Sequence, residues 1–481
     1  MADPELILGP IVGGLSNTSA NLWGRANGPG LLHAWLGRKP DLSDASPAGT
    51  SYPLQDTDGF AGVVPLRDLE PATLYYYDLR LDESPPSVQE GYGKFTTFPN
   101  PKEKHPFKFA FGSCFLPGYQ KGDSGSLFRD IDEQRKKDDL KFILMIGDQV
   151  YADVWDYNGI GQAAVGAEDF RNVYAHAWSN KHFREMLKNL PAFMTLDDHE
   201  VDDDWHFTDA TRAKAEIPIW DVVERFLKGR KPEEWQMPLG RVQAALKAYW
   251  EHQGMHGPRL EQSPELHADG RYKLEDQAPG SLAYSFACGG AAFFVLDTRT
   301  MRVKPPFGQR SMLGKDQWDK LEQWLLRVKD EYPVKFIVTS CSLLFRMWAD
   351  IPRDRWSGFP SERRRLLRLI GDNNIQNLYL LAGDLHSGHA ISAEVGNKGR
   401  RVPVWEFCST PFEQKCNKLA RWMYFPIWDG TVGRQKVWYT AGENNFGVVE
   451  VDYTPDGQPK VLFTLHGAGD TVFGEPVPPA N

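Results

Sequence analysis

The sequence has 481 residues, of which 41% are hydrophobic and 25% are charged, a composition typical of a globular protein with two or three domains. The net charge of −9 argues against a nucleic-acid surface, because phosphate backbones bind basic patches. No apolar run approaches the ~20 residues of a membrane span, and five scattered cysteines do not form the pattern of a disulfide framework.

Residues 1–98 are predicted to form an all-β domain. The first ten, MADPELILGP, lack the basic and apolar regions of a secretory signal. We therefore expect a cytoplasmic protein, or a periplasmic or secreted one whose leader was removed. Short aromatic and β-branched segments then alternate with Gly, Pro, Asp and Ser, which predicts an antiparallel sandwich. Residues 99–107, PNPKEKHPF, contain three prolines and are predicted to be a linker.

Residues 107–467 are predicted to form an α/β domain. An amphipathic helix at 126–137 precedes a buried strand at 142–146, and a strand before that helix completes a βαβ unit with parallel strands. Two insertions, at about 155–190 and 205–280, are expected to be helical or irregular and to lie over the strand ends as a lid or pocket wall.

Five apolar runs of this domain end directly before polar residues. One Asp after one strand is equally well explained as the cap of the next turn. Turn chemistry does not explain Cys, His and Arg at the same places, so these ends are predicted to converge on one site. The runs and the residues that follow them are 107–111 with Cys114, 142–146 with Asp148 and Tyr151, 192–196 with Asp198 and His199, 293–296 with Arg299, and 378–382 with Asp384 and His386.

These residue types suit metal ions. Asp148 and Asp384 offer carboxylate oxygens, His386 offers an imidazole, and Cys114 offers a thiolate, a mixture that favours a transition metal. Tyr151 reaches the same ion if the turn after Asp148 folds back. Thiolate and phenolate are both anionic, and they favour a trivalent, strongly Lewis-acidic ion such as Fe³⁺.

A second group of carboxylates lies in residues 197–204, where five aspartates offer oxygens suited to Ca²⁺ or another hard cation. Two metal ions a few ångströms apart bind both the attacking and the leaving oxygen of an in-line displacement, and they lower the pKa of a bound water. The predicted chemistry is therefore hydrolysis of a phosphate ester.

Six motifs also carry a family resemblance. They are GSC at 112–114, GDQVYAD at 147–153, DDHEVDDDW at 197–205, LDTRTMR at 296–302, DRWSGFP at 354–360 and GDLHSGH at 383–389. With these motifs in this order, the chain resembles the PhoD-like alkaline phosphatases of the calcineurin-like metallophosphoesterase superfamily. The resemblance implies a four-layer α/β/β/α sandwich with an N-terminal immunoglobulin-like or fibronectin-like domain. It also implies one Fe³⁺, one or two Ca²⁺ ions, and hydrolysis of phosphomonoesters and phosphodiesters at alkaline pH.

The resemblance also assigns ligands. Cys114, Asp148 and Tyr151 are expected to hold the iron, with His386 or Asp384 completing the set and Asp148 bridging to calcium. Asp198 and Asp203 are expected to be calcium ligands at positions where relatives often carry Asn, and the extra negative charge leaves the identity of this ion open. Many members of the superfamily supply a further metal histidine near residues 338–345, which here read VTSCSLLF.

His199 is the candidate for protonating the leaving oxygen or steering the phosphate. The alternative is a histidine that orients the acidic loop. Arg299 is the candidate for pairing with phosphate oxygens, and an ion pair with a nearby Asp is its equal alternative.

The predicted function is metal-dependent hydrolysis of a small-molecule phosphate ester, in which an activated water attacks phosphorus and no covalent phospho-enzyme forms. Two alternatives remain open at this point. One is a phospholipase D-type phosphodiesterase whose insertions select larger substrates, and the other is a non-catalytic binding protein on a degenerate phosphatase scaffold. The sequence does not indicate the oligomeric state or the physiological ester.

Overall fold

The N-terminal part of the chain forms two antiparallel sheets. A computed structural model describes residues 3–120, 122–209, 212–215, 236–261, 280–304, 309–347 and 354–478. The first sheet has the order β1-β2-β5 and the second the order β4-β3-β6-β7. The strands are β1 (Leu6–Gly13), β2 (Ala20–Ala26), β3 (His33–Gly37), β4 (Ser46–Thr50), β5 (Ala61–Leu66), β6 (Leu74–Arg80) and β7 (Gly93–Thr96).

Side chains in these strands alternate between the interior and the surface. In β6, Tyr75 and Tyr77 are buried, whereas Leu74 is exposed and Tyr76 is half-buried. This two-residue period gives each sheet one apolar face, and burial of that face holds the sheets together.

A six-stranded mixed sheet follows, in the order β10-β9-β8-β21-β22-β23. Its first three strands pair in parallel and its last three in antiparallel fashion. The strands are β8 (Phe107–Gly112), β9 (Leu140–Ile146), β10 (Ala192–Thr195), β21 (Phe446–Tyr453), β22 (Pro459–His466) and β23 (Val472–Val477), and the helices α1 (Ser126–Asp138), α2 (Ala167–Trp178) and α3 (Lys181–Asn189) lie between β8 and β10 in the chain.

The second large sheet has seven strands, in the order β14-β15-β16-β17-β19-β18-β20. Strands β15, β16, β17 and β19 pair in parallel, whereas β14 with β15, β18 with β19, and β20 with β18 pair in antiparallel fashion. The elements are β14 (Tyr284–Cys288), β15 (Ala291–Val295), β16 (Val334–Cys341), β17 (Leu378–Gly383), β18 (Gly388–Asn397), β19 (Arg400–Cys408), β20 (Val432–Ala441), α5 (Gly314–Glu331), α6 (Pro360–Asp372) and α7 (Ala420–Met423).

The predicted insertion around residues 205–280 contains a small antiparallel sheet and two consecutive helices. Residues 210–211, 216–235 and 262–279 of this insertion lie outside the described residues. The elements are β11 (Trp205–Asp209), β12 (Arg212–Ala215), β13 (Gln236–Met237) and α4 (Leu239–Tyr249), which continues into a π-helix at Trp250–Gly254.

The two large sheets pack face to face through stacked phenylalanine rings. Phe109 and Phe142 of one sheet lie 4.8 Å apart between ring centroids, and Phe293 and Phe336 of the other lie 4.7 Å apart. Phe142 meets Phe293 edge-on at 5.7 Å across the two sheets. Helices α1, α2 and α3 cover the outer face of the first sheet, and α5 and α6 cover that of the second. The predicted four-layer α/β/β/α fold with an N-terminal β domain is confirmed.

The N-terminal sheets dock on the helical layer through buried polar contacts. Trp23 donates from Nε1 to the carbonyl oxygen of Glu251 at 2.8 Å. Tyr77 donates from its hydroxyl to the carbonyl of Lys188 at 2.9 Å. Arg171 of α2 binds both carboxylate oxygens of Glu251 at 2.7 Å and also donates to the carbonyl of Thr57 at 2.7 Å. The β domain is therefore fixed to the α/β domain by directed contacts as well as by apolar packing.

Among the described residues, no helix is long and apolar enough to cross a lipid bilayer.

Substitution Arg171→Ala is expected to lower the free energy of unfolding by about 3–5 kcal/mol, because it leaves the buried carboxylate of Glu251 without its partner. Chemical unfolding followed by circular dichroism measures this loss. The matched control is Arg365→Ala, since the Arg365 side chain is 48% exposed and its pair with Glu322 is on the surface. Equal, small effects of the two substitutions would contradict the proposed importance of the buried pair.

Candidate metal centre

The predicted ligands lie in loops at the carboxyl ends of neighbouring strands, and several have unusual backbone angles. Cys114, Asp148, Asp384 and His386 have φ angles of 64°, 55°, 64° and 55°. A side chain in this left-handed region costs about 1–3 kcal/mol, and such residues cluster at functional sites. The tight turns point these side chains back over the strand ends, towards one another.

One cluster combines sulfur, oxygen and nitrogen donors. The thiol of Cys114 donates to Asp148 Oδ2 at 3.3 Å, and the hydroxyl of Tyr151 donates to the same oxygen at 3.4 Å. The Tyr151 oxygen also lies 3.3 Å from Nε2 of His386. The ligand atoms of Cys114, Asp148 and His386 all lie within 4.8 Å of one another. The structure thus brings together four of the predicted ligands, which we call the thiolate cluster.

A second cluster, which we call the carboxylate cluster, contains oxygen donors. Asp148, Asp197, Asp198 and Asp384 each place one oxygen within 4.8 Å of the others, and Asp198 lies equally close to Asp203 and Asp204. Asp148 belongs to both clusters. Its carboxylate is therefore shared between the two clusters.

The buried acids of the centre are electrostatically unbalanced. Burial raises the pKa of the Cys114 thiol to about 12. Burial, with the neighbouring Cys114 and Asp198, raises the pKa of Asp148 well above its usual range. Burial also raises the pKa values of Asp197 and Asp203 to about 8, and Asp198 adds to both shifts. Loss of water and mutual repulsion disfavour the charged forms of these four groups, and a bound cation would favour them.

The donor set fits bound cations. Oδ2 of Asp197 is fully buried and has no hydrogen-bond partner among the described residues, although a buried carboxylate oxygen normally has one. A cation at the carboxylate cluster would satisfy this oxygen. The thiol, phenol and imidazole of the thiolate cluster match the softer ligand preference of a transition metal.

His199 lies at the partly exposed edge of the centre, where its side chain is 16% exposed. Its Nδ1 lies 2.8 Å from Asp153 Oδ1, and its ring packs on Tyr151 with centroids 4.1 Å apart. Burial lowers its pKa, but the carboxylates of Asp153, Asp198 and Asp148 outweigh this effect and raise the pKa well above its usual value. A protonated imidazole held in this way can donate a proton at the mouth of the site.

Arg299 has no exposed surface. Its guanidinium forms an ion pair with Asp197, lies 2.8 Å from Asp354 Oδ2, and lies 3.4 Å from Asp198 Oδ1. The ion-pair alternative describes this geometry, in which Arg299 orients two aspartates of the carboxylate cluster. Direct contact between Arg299 and a substrate phosphate stays a prediction. The complete burial of Arg299 does not favour it.

Sequence reasoning missed several polar residues around the centre. Asp153 holds His199, and Arg355 donates from Nε to Asp384 Oδ2 at 2.7 Å. Both lie in motifs that were recognised, GDQVYAD and DRWSGFP, but nothing in the local pattern shows which distant side chain they meet.

Glu200 is the most consequential of the missed residues. Its fully buried carboxylate accepts hydrogen bonds from the backbone N–H groups of Asp148 at 3.1 Å, Gln149 at 2.8 Å and Asp197 at 2.8 Å. Gln253 of the π-helix donates to the same carboxylate at 3.1 Å. Glu200 therefore ties the loop after β9 to the loop after β10 and fixes the spacing between ligands of both clusters.

Comparison with known proteins agrees with this geometry. The sequence model of a family described as PhoD-like phosphatase matches residues 109–458, most of the chain. The chain belongs to the PhoD-like phosphatases. The resemblance inferred from the motifs is thereby confirmed. Membership of this family implies bound metal ions, and the two clusters are where this PhoD-like phosphatase can hold them.

Individual relatives support the same family and fold. The PhoD-like phosphatase is 26% identical over 360 residues to alkaline phosphatase D of Bacillus subtilis (strain 168), a match that covers 68% of this chain and 53% of that relative. The match therefore spans about half the length of the curated relative.

Two solved structures share the fold of this PhoD-like phosphatase. A structure of PhoD matches with a TM-score of 0.68 and 19% identity, covering 99% of this chain and 92% of the other. Purple acid phosphatase PPD1 from yellow lupin (Lupinus luteus) seeds matches with a TM-score of 0.57 and 12% identity, covering 98% and 73%.

Substitution Glu200→Gln is expected to weaken metal retention in this PhoD-like phosphatase about 10- to 100-fold, because an amide N–H would face the backbone N–H groups that the carboxylate now binds. Metal content after dialysis, measured by elemental analysis, gives this loss.

The matched control is Glu362→Gln. Glu362 likewise accepts from a backbone N–H, that of Met312 at 2.7 Å, and from the Ser311 hydroxyl at 2.7 Å, but it holds the segment before α5 and belongs to neither cluster. Unchanged metal retention in Glu200→Gln would contradict its positioning role.

Proposed function

We propose that the protein hydrolyses small-molecule phosphate esters at a metal centre formed by the thiolate and carboxylate clusters. The observation that supports this most strongly is the shared position of Asp148, whose carboxylate lies within 4.8 Å of ligand atoms in both clusters. Two cations held by these clusters would act together on the attacking and leaving oxygens of a phosphate ester. Family membership supports the same reaction class.

The proposed metals are one Fe³⁺ and one or two Ca²⁺ ions. Cys114, Asp148, Tyr151 and His386 would hold the iron, because thiolate and phenolate are the anionic ligands that a trivalent ion prefers. The set Asp198, Asp203 and Asp384, with Asp148 as the bridge, would hold calcium through oxygen atoms. When bound, these ions would lower the pKa of a water molecule and neutralise the charge that develops on the phosphoryl oxygens.

The protein's own residues then position the reacting groups. His199 would donate a proton to the leaving oxygen from Nε2, because its Nδ1 is held by Asp153 at 2.8 Å. Asp153 also accepts from the backbone N–H of Asp203 at 3.2 Å, which couples the orientation of the acid to the carboxylate cluster. Arg299 would keep Asp197 and Asp198 oriented towards the cations.

Purified protein is expected to contain iron and calcium by elemental analysis and to show a visible absorption band from charge transfer between Tyr151 and Fe³⁺. Substitution Tyr151→Phe should remove this band, and removal of calcium with a chelator should abolish hydrolysis until calcium is restored. The matched control is Tyr157→Phe, since Tyr157 packs beside the thiolate cluster against Tyr119 at 5.6 Å. A colourless, metal-free and inactive wild-type protein would instead favour a binding protein on a degenerate scaffold.

Substitution His199→Gln is expected to lower kcat about 10²- to 10⁴-fold for alkyl phosphates, because the leaving alkoxide then receives no proton from the protein. The loss should be much smaller for p-nitrophenyl phosphate, whose leaving group does not need protonation. Activity of the wild type towards alkyl esters should also fall as pH rises through the raised pKa of His199, since only the protonated ring donates.

The control for this prediction is His182→Gln, which removes a histidine that is also 16% exposed and lies 3.0 Å from Asp123 but belongs to neither cluster. Equal losses for alkyl and p-nitrophenyl esters in His199→Gln would argue against a general acid. A panel of monoesters and diesters, assayed with the same preparations, also identifies the preferred ester class.

A further inference from the structure

Residues 415–428 expose both apolar and basic side chains. Leu419, Trp422 and Trp428 are 63%, 82% and 76% exposed, and they are among the most exposed large hydrophobic residues described. Leu419 and Trp422 are three residues apart in one helical turn, in which the backbone N–H of Trp422 donates to the carbonyl of Leu419 at 2.9 Å, and therefore lie on the same side. Large exposed apolar groups that lie together mark an interaction surface. We call this surface the rim patch, which consists of Lys415, Lys418, Leu419, Arg421, Trp422 and Trp428.

The rim patch is held firmly by buried neighbours. Ala420 and Ile427 of the same segment are 1% and 2% exposed. The backbone N–H of Phe425 donates to the carbonyl of Arg346 at 2.7 Å, and Tyr424 packs on Phe345 with ring centroids 5.2 Å apart. The exposed side chains are thus presented from a fixed backbone.

The rim patch lies beside the metal centre. The backbone N–H of Asn417 donates to the carbonyl of His386 at 2.7 Å, and that of Glu413 donates to the carbonyl of Cys114 at 3.1 Å. Thr410 donates from its hydroxyl to the Cys114 sulfur at 3.1 Å. One segment therefore forms a wall of the candidate site and then emerges as the rim patch.

The rim patch is positively charged, although the whole chain carries a net charge of −9. Lys415, Lys418 and Arg421 are exposed, and none of them forms an ion pair with a carboxylate in the described part of the chain. Of the acidic residues nearest in sequence, Glu413 accepts from the backbone N–H groups of Gly118 and Gly125, and Asp429 lies 2.9 Å from Arg363. Three cations remain available to an anionic partner.

We propose that the rim patch binds the surface of an anionic phospholipid bilayer. In two places a cation directly precedes a protruding apolar residue, Lys418 before Leu419 and Arg421 before Trp422. This pairing suits a bilayer surface, where anionic headgroups and acyl chains lie one above the other and tryptophan prefers the boundary. Binding there would place the metal centre next to phosphate esters at the membrane surface.

The test is co-sedimentation of the full-length protein with vesicles of phosphatidylglycerol and phosphatidylcholine, compared with vesicles of phosphatidylcholine alone. We expect binding to the anionic vesicles and a blue shift of tryptophan fluorescence. The triple variant Lys415→Glu, Lys418→Glu, Arg421→Glu should bind at least about tenfold more weakly, because each basic residue contributes to attraction by anionic lipid. The double variant Leu419→Ser, Trp422→Ser should lose binding and the blue shift.

Two matched controls keep the test specific. Lys398→Glu reverses an exposed charge beyond the far end of β18, about 30 Å along the strand from its start beside the centre. Tyr52→Ser removes an aromatic ring that is 67% exposed on the N-terminal domain. Both should bind like the wild type, and unchanged thermal unfolding should show that all variants are folded.

Three outcomes would overturn the proposal. They are no binding to anionic vesicles, binding that the rim-patch variants leave unchanged, and a dimer of this chain that Trp422→Ser dissociates, which would assign the surface to a second copy. Vesicle binding is measured without turnover, so its failure is separate from any failure of the proposed hydrolysis.

Discussion

Burial of several acidic groups side by side is the constraint on which the site depends. The thiol of Cys114, the phenol of Tyr151 and the carboxylates of Asp198 and Asp384 surround Asp148, and burial raises the pKa of Asp148 and of Cys114. Without added positive charge, Cys114 and Asp148 would hold their protons. The fold keeps them together despite this cost, which is expected of a site that binds cations and not of a structural cluster.

Buried glutamates hold the loops that carry these ligands. Glu200 accepts from the backbone N–H groups of Asp148, Gln149 and Asp197. Glu413 accepts from the backbone of Gly118 at 2.9 Å and of Gly125 at 2.6 Å, in the loop that follows Cys114. A carboxylate that accepts several backbone donors gives an irregular loop the partners it lacks outside a sheet. This explains how strained left-handed backbone persists at the ligand positions.

Strands and candidate ligands could be predicted from the sequence where the pattern that indicates them spans only a few residues. Short apolar runs followed by Cys, Asp and His located the parallel strands and most of the candidate ligands, because strand ends and ligand types lie within a few residues of one another. Contacts between residues far apart in the chain could not be predicted. Glu200 meets Asp148 across 52 residues, and Trp23 meets Glu251 across 228, so neither contact leaves a local pattern. Arg299 was correctly located at a strand end, but only the packed structure shows that aspartates enclose it.

The most direct test of the account is anomalous X-ray scattering from crystals of the purified protein, recorded on both sides of the iron absorption edge. We expect an iron peak within coordination distance of Cys114, Asp148, Tyr151 and His386, and a second density feature without iron among the aspartates of the carboxylate cluster. An iron peak outside coordination distance of Cys114 or His386, or no iron peak in this region, would contradict the proposed metal centre.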